Sequence, residues 1–351
     1  MLLDFLSGYS LSAIKCLVLV CTAPMHKVLI TTVPFADKNR LPLELLEVAG
    51  IEYLVNPLCR KLKEEELAEM VDGFDVLIAG TEPITDLVMS RASRLKLISR
   101  VGIGLDNVNL SSAEKRGIKV SYTPDAPAPA VAEFTLGLML TLLRSVHVAN
   151  LQMHNGNWHR HFGRRIAEVT VGIIGMGRIG ARVLRRIRAF GTPRILVNDI
   201  NHDLKLVPEL KLERVSKEDI YRQADLISLH VPLTTYTKNM IRREHLLQMK
   251  PDALIINTSR GGIINERDLA EVLRSGHLGG VAIDVFEHEP YVGELTTIER
   301  CLLTSHMGSM SVDCRTRMEI EATEEAVRFL TDKPLQSSVP SQEYDIQRQG
   351  L

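Results

Sequence analysis

The chain has 351 residues, 45% of them hydrophobic, which is enough for two ordinary domains with their own cores and excludes a disordered chain. Its 42 Lys and Arg against 43 Asp and Glu leave a formal charge of -1, so no global field draws it to nucleic acid or to a membrane, and any bound anion must be held locally. Five cysteines (Cys16, Cys21, Cys59, Cys301, Cys314) form no CxxC pair and no ligand spacing, which reads as reduced thiols in a cytoplasm and excludes structural zinc.

Near the start, Lys15 precedes the apolar run Cys16 to Cys21, which has the outline of a signal peptide. The run falls short of the roughly 20 residues that span a bilayer, and no small-x-small cleavage site precedes the first expected strand, Lys27 to Thr32. Met25 therefore reads as the natural beginning. From there short β-rich runs (Val28 to Ile30, Val76 to Ile78, Leu95 to Ser99) alternate with amphipathic stretches, the pattern of an α/β fold. The Pro-rich break Thr123 to Pro129 reads as a hinge, followed by a long apolar helix from about Val131 to Val148 and a polar loop with the only tryptophan, Trp158.

A second series begins at Val169 to Ile174, with further strands expected at Arg194 to Val197, Ala224 to Leu229, Ala253 to Asn257, Gly279 to Ile283 and Cys301 to Thr304. Six strands suit a doubly wound sheet. A helix from about Ser311 to Leu330 returns to complete the first domain, and the polar stretch Ser337 to Gln349 lacks periodicity and leaves no room for a regulatory domain. The expected layout is α/β in two domains: residues 26–124 and 307–335 form one parallel-sheet domain, 125–306 a Rossmann domain, 1–25 an extension and 336–351 a tail.

Gly175-Met176-Gly177-Arg178-Ile179-Gly180 directly follows the strand ending at Ile174 and opens a helix expected to run from Arg178 to Phe190. In that context Gly175 permits the tight turn, Gly177 lets backbone approach a pyrophosphate, Gly180 lets helix and strand pack, and the helix N-terminus supplies N–H groups. Asp199 ends the next strand 24 positions after Gly175. A carboxylate there accepts both ribose hydroxyls and repels a 2′-phosphate, which favours NAD over NADP.

Three residues stand where a carboxylate substrate and a proton carrier are needed. Arg260, just after a strand and so at the carboxyl edge of the sheet, can fork onto a carboxylate and polarise a neighbouring oxygen, but it cannot carry the proton. His306 follows the last strand, and imidazole suits general acid/base work. Glu289, one strand earlier, can accept one imidazole N–H and leave the other nitrogen toward substrate. Singly these residues read equally as a surface cation, a packed ring and a solvated acid; their joint placement is what points to chemistry.

Further segments carry a resemblance: Arg100-Val101-Gly102-Ile103-Gly104-Leu105-Asp106-Asn107-Val108, Ala132-Glu133, Gly156-Asn157-Trp158, His230-Val231-Pro232-Leu233-Thr234, Arg260-Gly261-Gly262, Asp284-Val285-Phe286 and His306-Met307-Gly308. From Lys27 to Leu330 the chain resembles the D-isomer-specific 2-hydroxyacid dehydrogenase family, nearest its phosphoglycerate dehydrogenase branch. The resemblance implies a flavodoxin-like substrate domain built from both chain ends, Arg260 orienting substrate, His306 as acid/base and Glu289 as its partner. It also implies that Asp284 receives the nicotinamide carboxamide, that Thr258 and Ser259 line the cofactor cleft, and that His230, Val231, Pro232 and Gly308 border it. Arg100 and the backbone of Val101, Gly102, Ile103 and Gly104 would face the substrate, and a homodimer would form through the long helix and the Trp158 loop.

The expected reaction is NAD-dependent interconversion of a D-2-hydroxy acid and its 2-keto acid, first 3-phosphoglycerate, alternatively glyoxylate, hydroxypyruvate or a branched 2-keto acid. An NAD-sensing co-repressor is the rival from another class. Two departures bear on this. Gly80 stands where many phosphoglycerate dehydrogenases have an arginine, which leaves Arg100 for an anionic substrate; the basic residues His159, Arg160, His161, Arg164 and Arg165 read first as a solvated loop and second as a replacement contact, and Ser305 replaces a proline before His306.

Overall fold

A computed structural model describes residues 26–191, 193–201 and 212–348; the run Cys16 to Cys21 and the reading of Met25 as the beginning lie outside them. Strands β1 (Lys27–Ile30), β2 (Glu52–Val55), β3 (Val76–Ala79), β4 (Leu97–Arg100) and β5 (Lys119–Tyr122) pair in parallel in the order β2-β1-β3-β4-β5. β3, an unbroken apolar run, and β4, whose Ser99 and Arg100 are also buried, are covered along their whole length, as central strands with helices on both faces must be, whereas edge strand β2 alternates exposed and half-buried residues.

The second sheet holds β6 (Val171–Ile174), β7 (Ile195–Asn198), β8 (Leu212–Arg214), β9 (Leu226–Leu229), β10 (Leu254–Asn257), β11 (Gly280–Ile283) and β12 (Cys301–Leu303), all parallel in the order β12-β11-β10-β9-β6-β7-β8. It thus has one strand more than the six expected. β8 is the short edge segment Leu-Glu-Arg, too polar to register as an apolar run. Strand order reverses between β1 and β3 in one sheet and between β6 and β9 in the other. At such points successive loops diverge and open a crevice at the carboxyl ends of the strands.

The chain returns to the first sheet through the helix Val312–Leu330. Cys314, Met318, Ala322 and Ala326 recur every four residues, form one stripe, and pack into the cluster of Val28, Ile30, Val76, Ile78 and Leu97.

Two helical expectations need correction. The helix expected from Val131 to Val148 is two helices, Ala128–Leu143 and Val146–His154, bent by 65° where Ser145 adopts left-handed backbone (φ 51°). The first buries Ala132, Leu138, Met139 and Leu142 against the second sheet, while the second buries no residue. The helix opened by Arg178 runs to Ile187 and tightens into a 3-10 turn, Arg188–Phe190. The aperiodic tail also contains a helix, Ser341–Arg348, anchored by Gln347, which accepts from the Leu110 amide (2.6 Å) and donates to the Val108 carbonyl (2.9 Å). A polar anchor of this kind leaves no hydrophobic period to read. Among the described residues no single helix is long and apolar enough to cross a membrane.

Met318 is 1% exposed at the centre of the returning stripe. Met318→Ala is expected to lower stability by about 2–5 kcal/mol, measured by urea unfolding, because the sheets around it cannot collapse into the void.

Candidate active site

At the β6/β9 crevice the glycine loop has the geometry that a dinucleotide requires. Gly175 has φ 95° and donates to the Asn198 carbonyl (2.8 Å), and a Cβ there would stand 2.5 Å from the His230 carbonyl oxygen. A Cβ on Gly180 would stand 2.0 Å from the Gly175 carbonyl oxygen, while one on Gly177 would meet nothing within 4 Å, so the space above the loop is open. The helix that starts at Arg178 and Ile179 has no side-chain cap on its first amides. Asp199 turns toward this loop, accepting from the amides of Met176 (2.5 Å) and Asn201 (2.7 Å) and retaining lone pairs for ribose hydroxyls.

On the other side of the crevice, His230 Nε2 lies 2.9 Å from Ser228 Oγ, and its buried Nδ1 has no partner among the described residues. Burial pushes the His230 pKa down to about 3, so the ring is neutral at pH 7. Val231 packs beneath Gly175, and the Pro232 carbonyl accepts from Thr237 Oγ1 (2.6 Å). The Thr258 hydroxyl pairs with that of Thr135 (2.8 Å) and the Ser259 hydroxyl donates to Asn257 (2.7 Å); both therefore also fasten the loop. Arg178 reaches back to Asp125 in the Pro-rich break (3.1 Å), an exposed pair worth little in stability.

Arg260 leaves β10 and crosses to the first domain. Its Nε donates to Asp106 Oδ1 (2.8 Å) and its Nη1 to the Ser259 carbonyl (2.7 Å). Desolvation opposes charge on Asp106, but the charge and hydrogen bond of Arg260 outweigh it and hold the carboxyl below its ordinary pKa. Nη2 makes no bond among the described residues and lies over Gly104, where a Cβ would stand 1.4 Å away. Of the four amides expected to face a carboxylate, two are committed: Val101 donates to Ala79 (2.8 Å), and Gly102 to Thr123 Oγ1 (2.8 Å) and the Arg100 carbonyl (3.0 Å). The amides of Ile103 and Gly104 have no partner among the described residues.

His306 and Glu289 meet, with the imidazole Nδ1 3.0 Å from both carboxylate oxygens. Burial alone would raise the Glu289 pKa, but the hydrogen bond and charge of His306, the Phe286 amide and Lys61 bring it below its ordinary value. The carboxylate accepts the Nδ1 proton, which leaves Nε2 outward and without a protein partner among the described residues.

His306 holds left-handed backbone, φ 52°, which is uncommon outside glycine, and Asp284 explains how. Buried to 1% exposure, its carboxylate accepts from Thr304 Oγ1 (2.6 Å) and from the amides of Met307 (2.8 Å) and Gly308 (2.9 Å), while its carbonyl takes the His306 amide (2.8 Å). Asp284 thus fastens the turn that carries His306, a role that the resemblance did not supply; one lone pair on Oδ2 is left over.

Arg164 and Arg165 of the basic loop are engaged away from this cleft. Arg164 binds the Asp252 carbonyl (2.9 Å) before β10 and Arg165 binds Glu168 (2.5 Å), so within one chain they lie at the amino edge of the sheet, opposite Arg260. Asp106, Glu82, Thr32 and Arg315 are site residues that carried no sequence-level assignment. Only Arg315–Glu319, spaced for one helix face, left a trace; it is a nearly buried ion pair (2.6 Å) whose guanidinium also donates to Thr32 Oγ1 (2.9 Å).

Residues 136–308 match the family profile "D-isomer specific 2-hydroxyacid dehydrogenase, NAD binding domain". The chain is 36% identical over 276 residues to the hydroxypyruvate reductase of Thermotoga maritima, covering 77% of this chain and 89% of that protein. It is 36% identical over 302 residues to the D-3-phosphoglycerate dehydrogenase of Methanocaldococcus jannaschii, covering 83% of this chain but 55% of that protein. The crystal structure of a glyoxylate reductase from Paecilomyes thermophila superposes with a TM-score of 0.79 at 30% identity, covering 91% of this chain and all of that one. The fold and the site define an NAD-dependent oxidoreductase acting on CH–OH donors. The chain belongs to the D-isomer specific 2-hydroxyacid dehydrogenase family.

A Cβ on Gly104 would stand 1.4 Å from Arg260 Nη2, 2.6 Å from its Cζ and 2.8 Å from Asp106 Oδ1, all ends of partly exposed side chains that can swing away, so Gly104→Ala is expected to leave the thermal unfolding midpoint nearly unchanged. It should lower kcat/KM on any 2-keto acid about 100-fold by displacing the guanidinium. Calorimetry and steady-state kinetics on one preparation check both halves.

Proposed function

We propose that Arg260, His306 and Glu289 carry the interconversion of a small D-2-hydroxy acid and its 2-keto acid. The observation that carries this reading is His306, its Nδ1 tied to Glu289 and its Nε2 without a partner among the described residues, on a loop pair that abuts the Arg260 loop, where Gly261 leaves no room for a Cβ against the Phe286 carbonyl. Bound NADH supplies a hydride to C2. Arg260 Nη2 and the Ile103 and Gly104 amides hold the substrate carboxylate, and the guanidinium lowers the energy of negative charge building on the C2 oxygen. His306 Nε2–H gives that oxygen its proton, and Glu289 stabilises the imidazolium beforehand. In the reverse direction neutral His306 removes the hydroxyl proton. Gly175, Gly177, Gly180 and the helix N-terminus hold the pyrophosphate, and Asp199 the adenosine ribose.

The substrate is a 2-keto acid no larger than 3-phosphohydroxypyruvate, with hydroxypyruvate and glyoxylate as the smaller members. NADH oxidation is expected with at least one of these three, and more slowly with NADPH. His306→Asn is expected to lower kcat about 100-fold or more with little change in NADH binding. Tight NADH binding without turnover on any of them would favour the co-repressor reading instead.

The assembly proposed is a homodimer through the helix Val146–His154 and the arm that follows it. Trp158 is 81% exposed and Phe162 fully so, with Val146, Leu151 and Met153 half-exposed on the preceding helix, a concentration of exposed large apolar side chains of the kind that marks an interaction surface. Light scattering is expected to give twice the chain mass. Trp158→Asp together with Phe162→Glu is expected to give the monomer.

A further inference from the structure

The first sheet has its own reversal point, between β1 and β3, and its crevice is lined by Thr31 and Thr32 on one side and Gly80 to Glu82 on the other. Glu82 is 1% exposed. Its Oε1 accepts from the Gly80 amide (2.8 Å) and the Thr31 hydroxyl, but Oε2 has no partner among the described residues. That oxygen stands over Gly80, where a Cβ would lie 2.8 Å from it and 3.0 Å from Thr32 Oγ1. Arg100, at the end of β4 and 4% exposed, spends Nε on Asn107 (3.0 Å) and Nη1 on the Val101 carbonyl (2.7 Å) and leaves Nη2 unused.

Asn107 joins the two: its Oδ1 accepts from Arg100 Nε (3.0 Å) while its Nδ2 donates to the carbonyls of Glu82 (2.7 Å) and Gly80 (3.2 Å), and no N···O pair between the side chains of Glu82 and Arg100 comes within 4.0 Å. An open acceptor and an open donor, both on buried side chains, thus flank one space. The Arg100 guanidinium lies over Gly102, where a Cβ would stand 2.9 Å from Nη1 and 3.5 Å from Nη2, two residues before Gly104, over which Arg260 lies, so this space adjoins the proposed position of the substrate. The surroundings are already neutral: Arg100, Arg260 and Arg315 stand against Glu82, Asp106 and Glu319.

We infer that Glu82 and Arg100 form a tail subsite that selects a 2-keto acid bearing a neutral hydroxyl on C3 over its phosphate ester. A hydroxyl can donate to Glu82 Oε2 and accept from Arg100 Nη2 at once; a phosphate dianion can only accept and would meet the Glu82 carboxylate without a compensating cation. The inference rests on the dehydrogenase reading above. Gly80 is then the residue that makes room for Glu82 rather than a lost phosphate contact.

The test is kcat/KM with NADH for hydroxypyruvate, 3-phosphohydroxypyruvate and glyoxylate, which has no C3, on the wild type and Glu82→Gln. The wild type is expected to favour hydroxypyruvate over its phosphate ester by about 100-fold or more. Glu82→Gln is expected to lower the hydroxypyruvate-to-glyoxylate ratio about 10-fold and to raise relative turnover of the ester. Preference of the wild type for the ester overturns the inference even if the variant does not fold, as does a variant with unchanged ratios, while glyoxylate turnover in either case leaves the dehydrogenase reading standing. Turnover of none of the three overturns both.

Discussion

The ion pair of Arg260 with Asp106 is the contact on which the site depends, because it is made between residues of different domains. Arg260 comes from the end of β10 and Asp106 from the loop after β4, and each sits where its own sheet presents loops at the carboxyl edge. With the guanidinium fixed at 2.8 Å, its remaining nitrogen lies over Gly104, beside the unpaired amides of Ile103 and Gly104. Neither domain alone holds an anion site of this kind. The pair is partly exposed, so its value lies less in stability than in direction.

Around it the structure spends buried charge on geometry. Asp284 fastens four groups around the turn that carries His306, and so sustains a left-handed residue where a proline is absent at position 305. Glu289 then fixes the tautomer. Burial drives His230 neutral for lack of any charged neighbour, whereas Glu289 stays ionised because His306 and an amide compensate for its desolvation. Two half-buried titratable groups are pushed away from their ordinary values by opposite balances of the same forces.

Arg100 ends β4 of the first sheet, directly before the loop that carries Asp106. Desolvation and its guanidinium neighbours lower its pKa to about 10, and it is still a cation at pH 7. Its neutralisation by Glu82 and Asp106 across gaps, rather than by direct contact, leaves donors and acceptors available near the substrate. The cofactor crevice, by contrast, relies on backbone: an uncapped helix start, an open glycine and a single carboxylate.

By itself the sequence determined those features that rest on local rules. Apolar runs bounded by turns marked the strands that lie buried on both faces, Gly175 to Gly180 marked the cofactor loop through the spacing that only glycine geometry explains, and Asp199 followed at the right interval. Arg260, Glu289 and His306 were legible because each follows a strand, so that position along the chain already implies one edge of a sheet. Tertiary structure alone decided what those residues touch. Asp106 is 154 positions from Arg260, the hydroxyls of Thr258 and Ser259 turn out to fasten their loop, and Asp284 serves the catalytic turn. The break at Ser145 and the helix anchored by Gln347 were hidden for the same reason: one polar contact or one backbone angle leaves no period in the sequence, and its energy exists only once distant segments have met.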